Sequence, residues 1–244
     1  MEKQKMGVLR AAIGDAILTS IWVFIMSTLR IASTEVALFL SLQPLSLAGL
    51  FITTVLNTFC VLTVSFIGGV LGGASFNPST TVSFYTAGLR PDSSLSSMAV
   101  RFPAQAFGGA VGAKALVLVM PSQYKHMLKG PFLKVDLHTG ALAEGLLTFT
   151  HNMAILFLVL RGPKNPFLKV YLLSVATAAL VIPGSGFTGP SMNPANAFGW
   201  AFVNNKHNTL EQFYVYWVCP FLGASSAAFI FRSLFMAPIK QKKA

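Results

Sequence analysis

Two short stretches decide how this chain folds: Ser75-Phe-Asn-Pro-Ser-Thr80 and Ser191-Met-Asn-Pro-Ala-Asn196. Each lies in a long connection between apolar runs, and each connection is apolar and glycine-rich in its first half. Proline is favoured in the first turn of a helix, and asparagine is favoured at the cap position before it. We therefore predict that short helices begin at Pro78 and at Pro194.

The sequence on either side of these stretches is strongly apolar. The 244 residues are 54% hydrophobic and only 10% charged, whereas a soluble domain usually carries about 25% charged residues. Six apolar runs are near the length of about 20 residues that crosses a bilayer as a helix. They cover residues 11–29, 45–66, 99–120, 139–160, 167–183 and 213–236. The composition argues against a soluble enzyme and against a disordered chain, and it predicts a multi-pass membrane protein.

The two long connections, about residues 67–88 and 184–204, are predicted to be re-entrant segments. Each would enter the membrane, turn and leave as a short helix. Irregular backbone at membrane depth is tolerated only where it is buried in protein or lines a cavity. A simpler interpretation is that each Asn-Pro pair caps a helix in an ordinary loop. Two such pairs at equivalent places in the chain favour the re-entrant interpretation.

The same order of features occurs in both halves of the sequence: a carboxylate followed by threonine, an Asn-Pro pair, and a pair of small residues. The matching segments are 15–19 and 144–148, 75–80 and 191–196, and 107–110 and 221–224. Each half has an odd number of spans, so the halves must be inserted in opposite senses. We predict one domain, 1–244, with inverted repeats of about 8–120 and 137–236. Such repeats place the functional site near the membrane midplane.

The basic residues follow the predicted spans. The net charge is +11. The sequence has no cluster of basic and aromatic residues of the kind that binds nucleic acid, so no nucleic-acid partner is expected. An even number of spans puts both termini on one side, and that side collects most of the Lys and Arg, including Arg10, Arg101 and Arg161. The positive-inside rule therefore predicts cytosolic termini.

Asn77 and Asn193 are the predicted centre of a pore. Half-helices that enter from opposite sides meet N-terminus to N-terminus, and each N-terminus carries about half a positive charge. Each asparagine can cap its own helix and also offer an amide N–H to a passing molecule. A narrow tube with these properties passes neutral polar molecules and resists cations and protons. No metal or cofactor is expected, because Cys60 and Cys219 lie in apolar runs and no paired metal-ligand spacing occurs.

These motifs resemble those of the aquaporin, or major intrinsic protein, family. The segment 189–195 is similar to the second family signature and 72–78 to the first, and Ala104-Gln105 and Tyr216-Trp217 also match. The resemblance covers nearly the whole chain. It implies an all-α membrane protein, an aquaporin-like bundle of six transmembrane helices plus two re-entrant half-helices. It also implies a homotetramer with one pore per subunit. No enzymatic activity is expected, because the sequence has no Ser/His/Asp or Cys/His set in matching positions and no metal-ligand spacing.

Several departures from the family pattern resemble the small basic intrinsic proteins of plants, in particular the first subgroup. The first triplet is Asn77-Pro78-Ser79, whereas the second, Asn193-Pro194-Ala195, has the usual form. Asp15 replaces the usual glutamate of the first span, and Asn196 stands where most of the family has an arginine.

The resemblance also carries over an outer selectivity filter, residue by residue. Counting from the Asn-Pro motifs gives four positions: Asn57, Val181, Pro190 and Asn196. The second-span position assumes an alignment without a gap, so Thr53 and Thr54 remain alternatives to Asn57.

Asp15 and Glu144 lie inside predicted spans, where a carboxylate is costly and suggests function. One interpretation is a catalytic or proton-coupled role. The family resemblance implies a structural one, in which each carboxylate holds backbone N–H groups of a re-entrant segment, and we favour it because buried carboxylates need hydrogen-bond partners. His151 follows Glu144 by seven residues and shares its helix face. It either lines the pore or is satisfied between helices, and we leave it out of the predicted site.

Lys240 and Lys242, five and three places from the end of the sequence, resemble a dilysine signal that returns membrane proteins to the endoplasmic reticulum. The resemblance implies retrieval by coat-protein machinery, whereas the alternative is a positive-inside cluster after the last span. The predicted function is a passive channel in the lipid bilayer for water and for small neutral solutes such as hydrogen peroxide, ammonia or urea. The alternatives are a secondary transporter and a poorly conducting membrane scaffold.

Overall fold

The computed structural model describes residues 2–44, 46–89 and 94–236. Within these residues the secondary structure is helical throughout, with eight helices and a 3₁₀ turn at Ser122–Met127. The helices are α1 (Glu2–Phe39), α2 (Leu47–Val70), α3 (Pro78–Thr86), α4 (Leu95–Val119), α5 (Leu137–Leu160), α6 (Pro166–Gly184), α7 (Pro194–Val203) and α8 (Leu210–Phe235). One turn of α8, Tyr214–Val218, is π-helical.

Among the described residues, six helices are long and apolar enough to cross a membrane, and they coincide with the six predicted runs. They are Gly7–Phe39, Leu47–Val70, Leu95–Val119, Leu137–Leu160, Pro166–Gly184 and Leu210–Phe235. Helix α1 continues to Phe39, beyond the predicted end at residue 29. Hydropathy marks the part of a helix that lies in hydrocarbon, but the backbone hydrogen bonds continue into the polar residues that follow. The predicted all-α membrane fold is confirmed.

Glycine allows close contact between the spans. Helix α1 packs on α4, with Gly108 against the backbone of Ala16 and Gly112 against that of Ser20. Helix α5 packs on α8, with Gly223 against the backbone of Gly145. A Cβ atom at any of these three interhelical glycines would overlap a carbonyl oxygen of the neighbouring helix. Small residues thus let the helix backbones touch, which is how helices associate in membranes.

The two short helices α3 and α7 begin at Pro78 and Pro194, as the Asn-Pro pairs predict. Helix α3 packs against α8, and α7 packs against α4. Gly109 and Gly199 allow the second contact, because a side chain on either would overlap the facing backbone. Each short helix is therefore held by a span from the other half of the chain.

Six crossings in series put the start of α1 and the end of α8 on one face of the molecule, which we call the terminus face. The turn between α5 and α6 is also on this face, because Arg161 Nη2 donates to the carbonyl of Phe235 at 2.8 Å. The connection between α4 and α5 lies on the opposite face, where Arg30 Nη2 donates to the carbonyl of Met127 at 2.9 Å.

Candidate functional site

The side chains of Asn77 and Asn193 are joined to each other's segment by a reciprocal pair of hydrogen bonds. Asn77 Nδ2 donates to the carbonyl of Met192 at 3.0 Å, and Asn193 Nδ2 donates to the carbonyl of Phe76 at 3.1 Å. Each amide thus bonds to the residue just before the other asparagine. Since an amide nitrogen carries two hydrogens, each side chain keeps a second donor for a molecule in the pore.

Helix capping orients both amides. Asn77 Oδ1 accepts from the backbone N–H of Ser79 at 2.9 Å. Asn193 Oδ1 accepts from Ala195 at 3.1 Å and from Asn196 at 3.3 Å. Because each Oδ1 accepts from the first turn of its own helix, each Nδ2 points towards the segment that carries the other asparagine. The positive ends of the α3 and α7 dipoles therefore face the same point.

The two intramembrane carboxylates hold the backbone that leads into the asparagines. Asp15 Oδ1 accepts from the N–H of Ser75 at 2.7 Å. Glu144 Oε1 accepts from Ser191 at 2.7 Å and from Met192 at 2.9 Å, and Oε2 accepts from the Thr188 hydroxyl at 3.2 Å. Both carboxylates are fully buried, with 0% exposure. The two carboxylates thus hold the backbone of Ser75, Ser191 and Met192 in place, just before the two asparagines.

Asp15 also has a buried cationic partner that sequence analysis misplaced. Arg101 Nε and Nη2 donate to the two carboxylate oxygens of Asp15 at 2.7 and 2.8 Å, and Gln105 Nε2 donates at 2.8 Å. Arg101 was counted among the charges of the terminus side, but it lies within α4 and is only 2% exposed. An ion pair in the bundle neutralises both charges, which explains why an arginine is tolerated there. No basic side chain of the described residues lies within salt-bridge distance of Glu144.

Two cavities approach this centre from opposite faces. The outer cavity, about 450 Å³, opens on the face opposite the termini and is lined in part by Arg30 and the connection between α4 and α5. The inner cavity, about 430 Å³, contains Asn77 and Asn193 and extends towards Lys169 on the terminus face. Four residues line both cavities: Met26, Val181, Pro190 and Asn196. They form the junction of the two cavities, which therefore lie next to each other on either side of these four residues.

Three of the four predicted filter residues therefore meet at the junction. Asn57, the second-span candidate, lines the inner cavity alone. Its alternatives Thr53 and Thr54 line neither cavity, and their hydroxyls donate within α2 to Gly49 and Leu50 at 3.0 and 2.8 Å. Met26 was missed because α1 carries no motif that marks a lining residue.

The junction carries no charged side chain. Asn196 Nδ2 donates to Ser191 Oγ at 3.2 Å, and Ser191 Oγ donates to the carbonyl of Asn193 at 2.7 Å. The neighbouring Pro190 has no backbone N–H to donate. The side chain of Val181 is apolar. Three basic residues line the outer cavity without being part of the junction: Arg30, Lys129 and Lys134.

His151 lines the inner cavity, although it was left out of the predicted site. Its Nε2 atom lies 3.1 Å from Thr177 Oγ1 on α6. The seven-residue spacing from Glu144 was the sequence signal for this placement, because residues two helical turns apart share a face. Spacing alone did not distinguish a pore face from a helix–helix contact.

The fold and the paired half-helices define an all-α, multi-pass membrane protein with a cavity towards each of its two faces. A family model described as "Major intrinsic protein" matches residues 2–231. The chain is 51% identical to Aquaporin SIP1-2 of Zea mays over 236 residues, which cover 97% of this chain and 96% of the relative. It is 50% identical to Aquaporin SIP1-1 of Oryza sativa subsp. japonica over 237 residues, which cover 96% of each. It is 46% identical to Aquaporin SIP1-1 of Arabidopsis thaliana over 238 residues, or 98% of each.

The X-ray structure of the aquaglyceroporin from Plasmodium falciparum has a similar fold, with a TM-score of 0.68. The two chains are 17% identical, and the match covers 93% of this chain and 96% of the other. The chain therefore belongs to the major intrinsic protein family, and its resemblance to the plant small basic intrinsic proteins is confirmed. Family membership and fold support a passive channel for water and small solutes.

Proposed function

We propose that water and small neutral solutes cross this protein passively along the path through its two cavities, past Asn77 and Asn193. The reciprocal hydrogen bonds of these two asparagines carry the proposal. They place two donor-bearing side chains and two positive helix ends at one point of the path. Water can accept from the second hydrogen of each amide there. A cation meets two positive helix ends at the same point.

The proposed outer filter consists of Val181, Pro190 and Asn196, with Asn57 further along the inner cavity. These side chains supply no full charge and few donors. We therefore propose looser exclusion of hydrogen peroxide, ammonia and urea than an arginine-guarded filter gives. Asp15 and Glu144 act as structural residues, because their oxygens are engaged by the backbone or by Arg101. We therefore propose no catalytic or proton-coupling role for them, and no enzymatic activity is expected.

Stopped-flow light scattering on proteoliposomes tests the proposal. Vesicles with the purified chain should shrink faster than empty vesicles after an osmotic step, and imposed sodium or proton gradients should leave the solute rates unchanged. Rates equal to those of empty vesicles would contradict the proposal and favour the alternative of a poorly conducting membrane scaffold. Rates that rise with an ion gradient would indicate a coupled transporter.

We also propose an assembly and a location. The assembly is a homotetramer with one pore per subunit, as the family resemblance implies. The location is the endoplasmic reticulum membrane with both termini in the cytosol, supported by the basic residues near the termini and by Lys240 and Lys242. These two lysines, proposed to bind the coat-protein retrieval machinery, lie outside the described residues.

A further inference from the structure

Three basic residues line the outer cavity, and we call them the outer basic cluster: Arg30, Lys129 and Lys134. Among the described residues that line this cavity, none is acidic. Within the described part of the chain, no carboxylate lies within salt-bridge distance of any of the three side chains. The cluster therefore brings three positive charges to one concave surface without neutralising them there.

Backbone carbonyls hold two of these charges in place. Arg30 Nη2 donates to the carbonyl of Met127 at 2.9 Å. Lys134 Nζ donates to the carbonyl of Ser185 at 2.7 Å and lies 4.8 Å from the centre of the Phe132 ring. A carbonyl oxygen accepts a hydrogen bond but carries no full negative charge, so both groups are positioned and keep their charge.

Both held charges lie just outside the junction of the cavities, on two different spans. Arg30 follows Met26 by four residues on α1, which runs outward from the terminus face. Ser185, whose carbonyl holds Lys134, follows Val181 by four residues, and its N–H donates to the Val181 carbonyl at 2.9 Å. Met26 and Val181 both belong to the junction. Four helical residues rise about 6 Å, so each charge is anchored about one helical turn outside the junction.

We propose that the outer basic cluster is a charge filter, which repels cations and concentrates small anions in front of the junction. It supplies, one turn further out, the full positive charge that Asn196 does not supply. A sphere with the volume of the cavity, about 450 Å³, is about 10 Å across, which is close to the Debye length at 0.1 M salt. The field of the cluster therefore reaches across the cavity. The inference rests on the proposed channel function, because neutral solutes pass such a field without hindrance.

The test measures the electrostatic potential in the outer cavity with a cysteine as the reporter. Ser27 lies about one turn before Arg30 on α1 and lines the outer cavity but not the inner one, and Ser27→Cys is close in shape. The purified full chain in detergent is treated with two methanethiosulfonate reagents, one with an anionic sulfonate and one with a cationic trimethylammonium group. Mass spectrometry follows labelling at residue 27, so that Cys60 and Cys219 are counted separately.

The measured quantity is the ratio of the anionic to the cationic labelling rate, divided by the same ratio for a free thiol. Ionisation of the reporter thiol affects both rates equally and cancels. Clefts lined by one sign of charge raise the local concentration of opposite charges at least about tenfold, so we expect a ratio of about ten or more at low salt. In 1 M salt the Debye length falls to about 3 Å, and the ratio should fall to within about twofold of one.

Charge variants in the Ser27→Cys chain assign the potential to the cluster. Arg30→Gln and Lys134→Gln each keep a donor for the carbonyl partner and remove the charge, so each should lower the ratio about twofold to fivefold. Changing all three residues of the cluster to glutamine should bring the ratio close to one, whereas Arg30→Lys keeps the charge and should keep the ratio. Lys206→Gln removes the charge of an exposed lysine that lines neither cavity and should leave the ratio unchanged.

A ratio near one in the Ser27→Cys chain at low salt would overturn the charge filter, and so would a ratio that neither salt nor the triple glutamine variant lowers. If the triple variant does not fold, the salt series decides without it, and Ser185→Cys is a second reporter in the same cavity. Water flux of wild-type vesicles is measured separately. Normal water flux with a failed ratio contradicts the charge filter alone, whereas vesicles that conduct neither water nor urea contradict the proposed function and the filter role with it.

Discussion

Asp15 and Arg101 form a two-bond ion pair inside the helical bundle, with N–O distances of 2.7 and 2.8 Å. The pair links α1 to α4, and through Ser75 it holds the segment that leads to Asn77. The corresponding carboxylate of the second half is Glu144, whose donors among the described residues are all neutral. The two halves of the chain thus reach a similar geometry at the asparagines with different electrostatics.

The first prediction follows from this difference. Asp15→Asn should destabilise the folded protein by about 3–5 kcal/mol, because it leaves the Arg101 charge buried without its partner. Glu144→Gln should cost much less. Its two backbone donors already share one oxygen, and the new amide can donate to the Thr188 hydroxyl. The measurement is thermal unfolding of the purified chain in detergent.

The double variant Asp15→Asn, Arg101→Gln is the control for the first prediction. It should recover part of the loss, since no charge remains unpaired. Equal destabilisation by Asp15→Asn and Glu144→Gln, with no recovery in the double variant, would show that the ion pair has no special importance.

Much of the fold could be predicted from the sequence, and the reasons are local. A span must satisfy its own backbone in hydrocarbon, so each apolar run of sufficient length had to be a helix. Each Asn-Pro pair fixed a helix start, because both residue types favour that position. Pro78 and Pro194 therefore begin α3 and α7 as expected.

The parts that could not be predicted depend on contacts between distant segments. Arg101 lies close to the end of an apolar run, where hydropathy alone suggests a charge near the membrane surface. Its burial depends on Asp15, which is far away in sequence and is brought near by the packing of α1 on α4. The pairing of each asparagine with the carbonyl before the other also joins residues more than a hundred positions apart. The lining role of Met26 depends on how α1 is rotated, which no motif reports.

The second prediction concerns the pore centre. Asn193→Asp replaces the donor to the Phe76 carbonyl with a carboxylate oxygen and places a negative charge beside two positive helix ends. We expect lower water flux or the admission of cations, measured by light scattering and by a sodium-sensitive dye in the same vesicles. Asn204→Asp makes the same change at the exposed C-terminal cap of α7 and should affect neither signal. An Asn193→Asp protein that reaches the vesicles and conducts as wild type would refute the assignment of the pore centre.

The third prediction concerns location. Changing Lys240 and Lys242 to alanine should move a tagged protein from the reticulum to later membranes, as imaged in plant cells. Changing both to arginine separates the two interpretations of these lysines, because arginine keeps the positive charge. A receptor-read dilysine signal is lost in both variants, whereas a positive-inside cluster survives in the arginine variant. Reticular staining in both would place the retention signal elsewhere in the chain.

The last prediction concerns selectivity at the junction of the cavities. Asn196 is short and neutral, and its amide already donates to Ser191. An arginine there would add a full charge and up to five donors in a longer side chain. We therefore expect Asn196→Arg to lower urea and hydrogen peroxide permeability relative to water at least about tenfold. Asn204→Arg adds the same charge at a residue that lines neither cavity and should leave the ratio unchanged. Since Pro190 and Val181 offer no polar partner at this point, Asn196 is the residue that sets the polarity of the junction. Wild-type vesicles that exclude every such solute, or a folded Asn196→Arg variant with the wild-type ratio, would show that selection occurs at another place along the path.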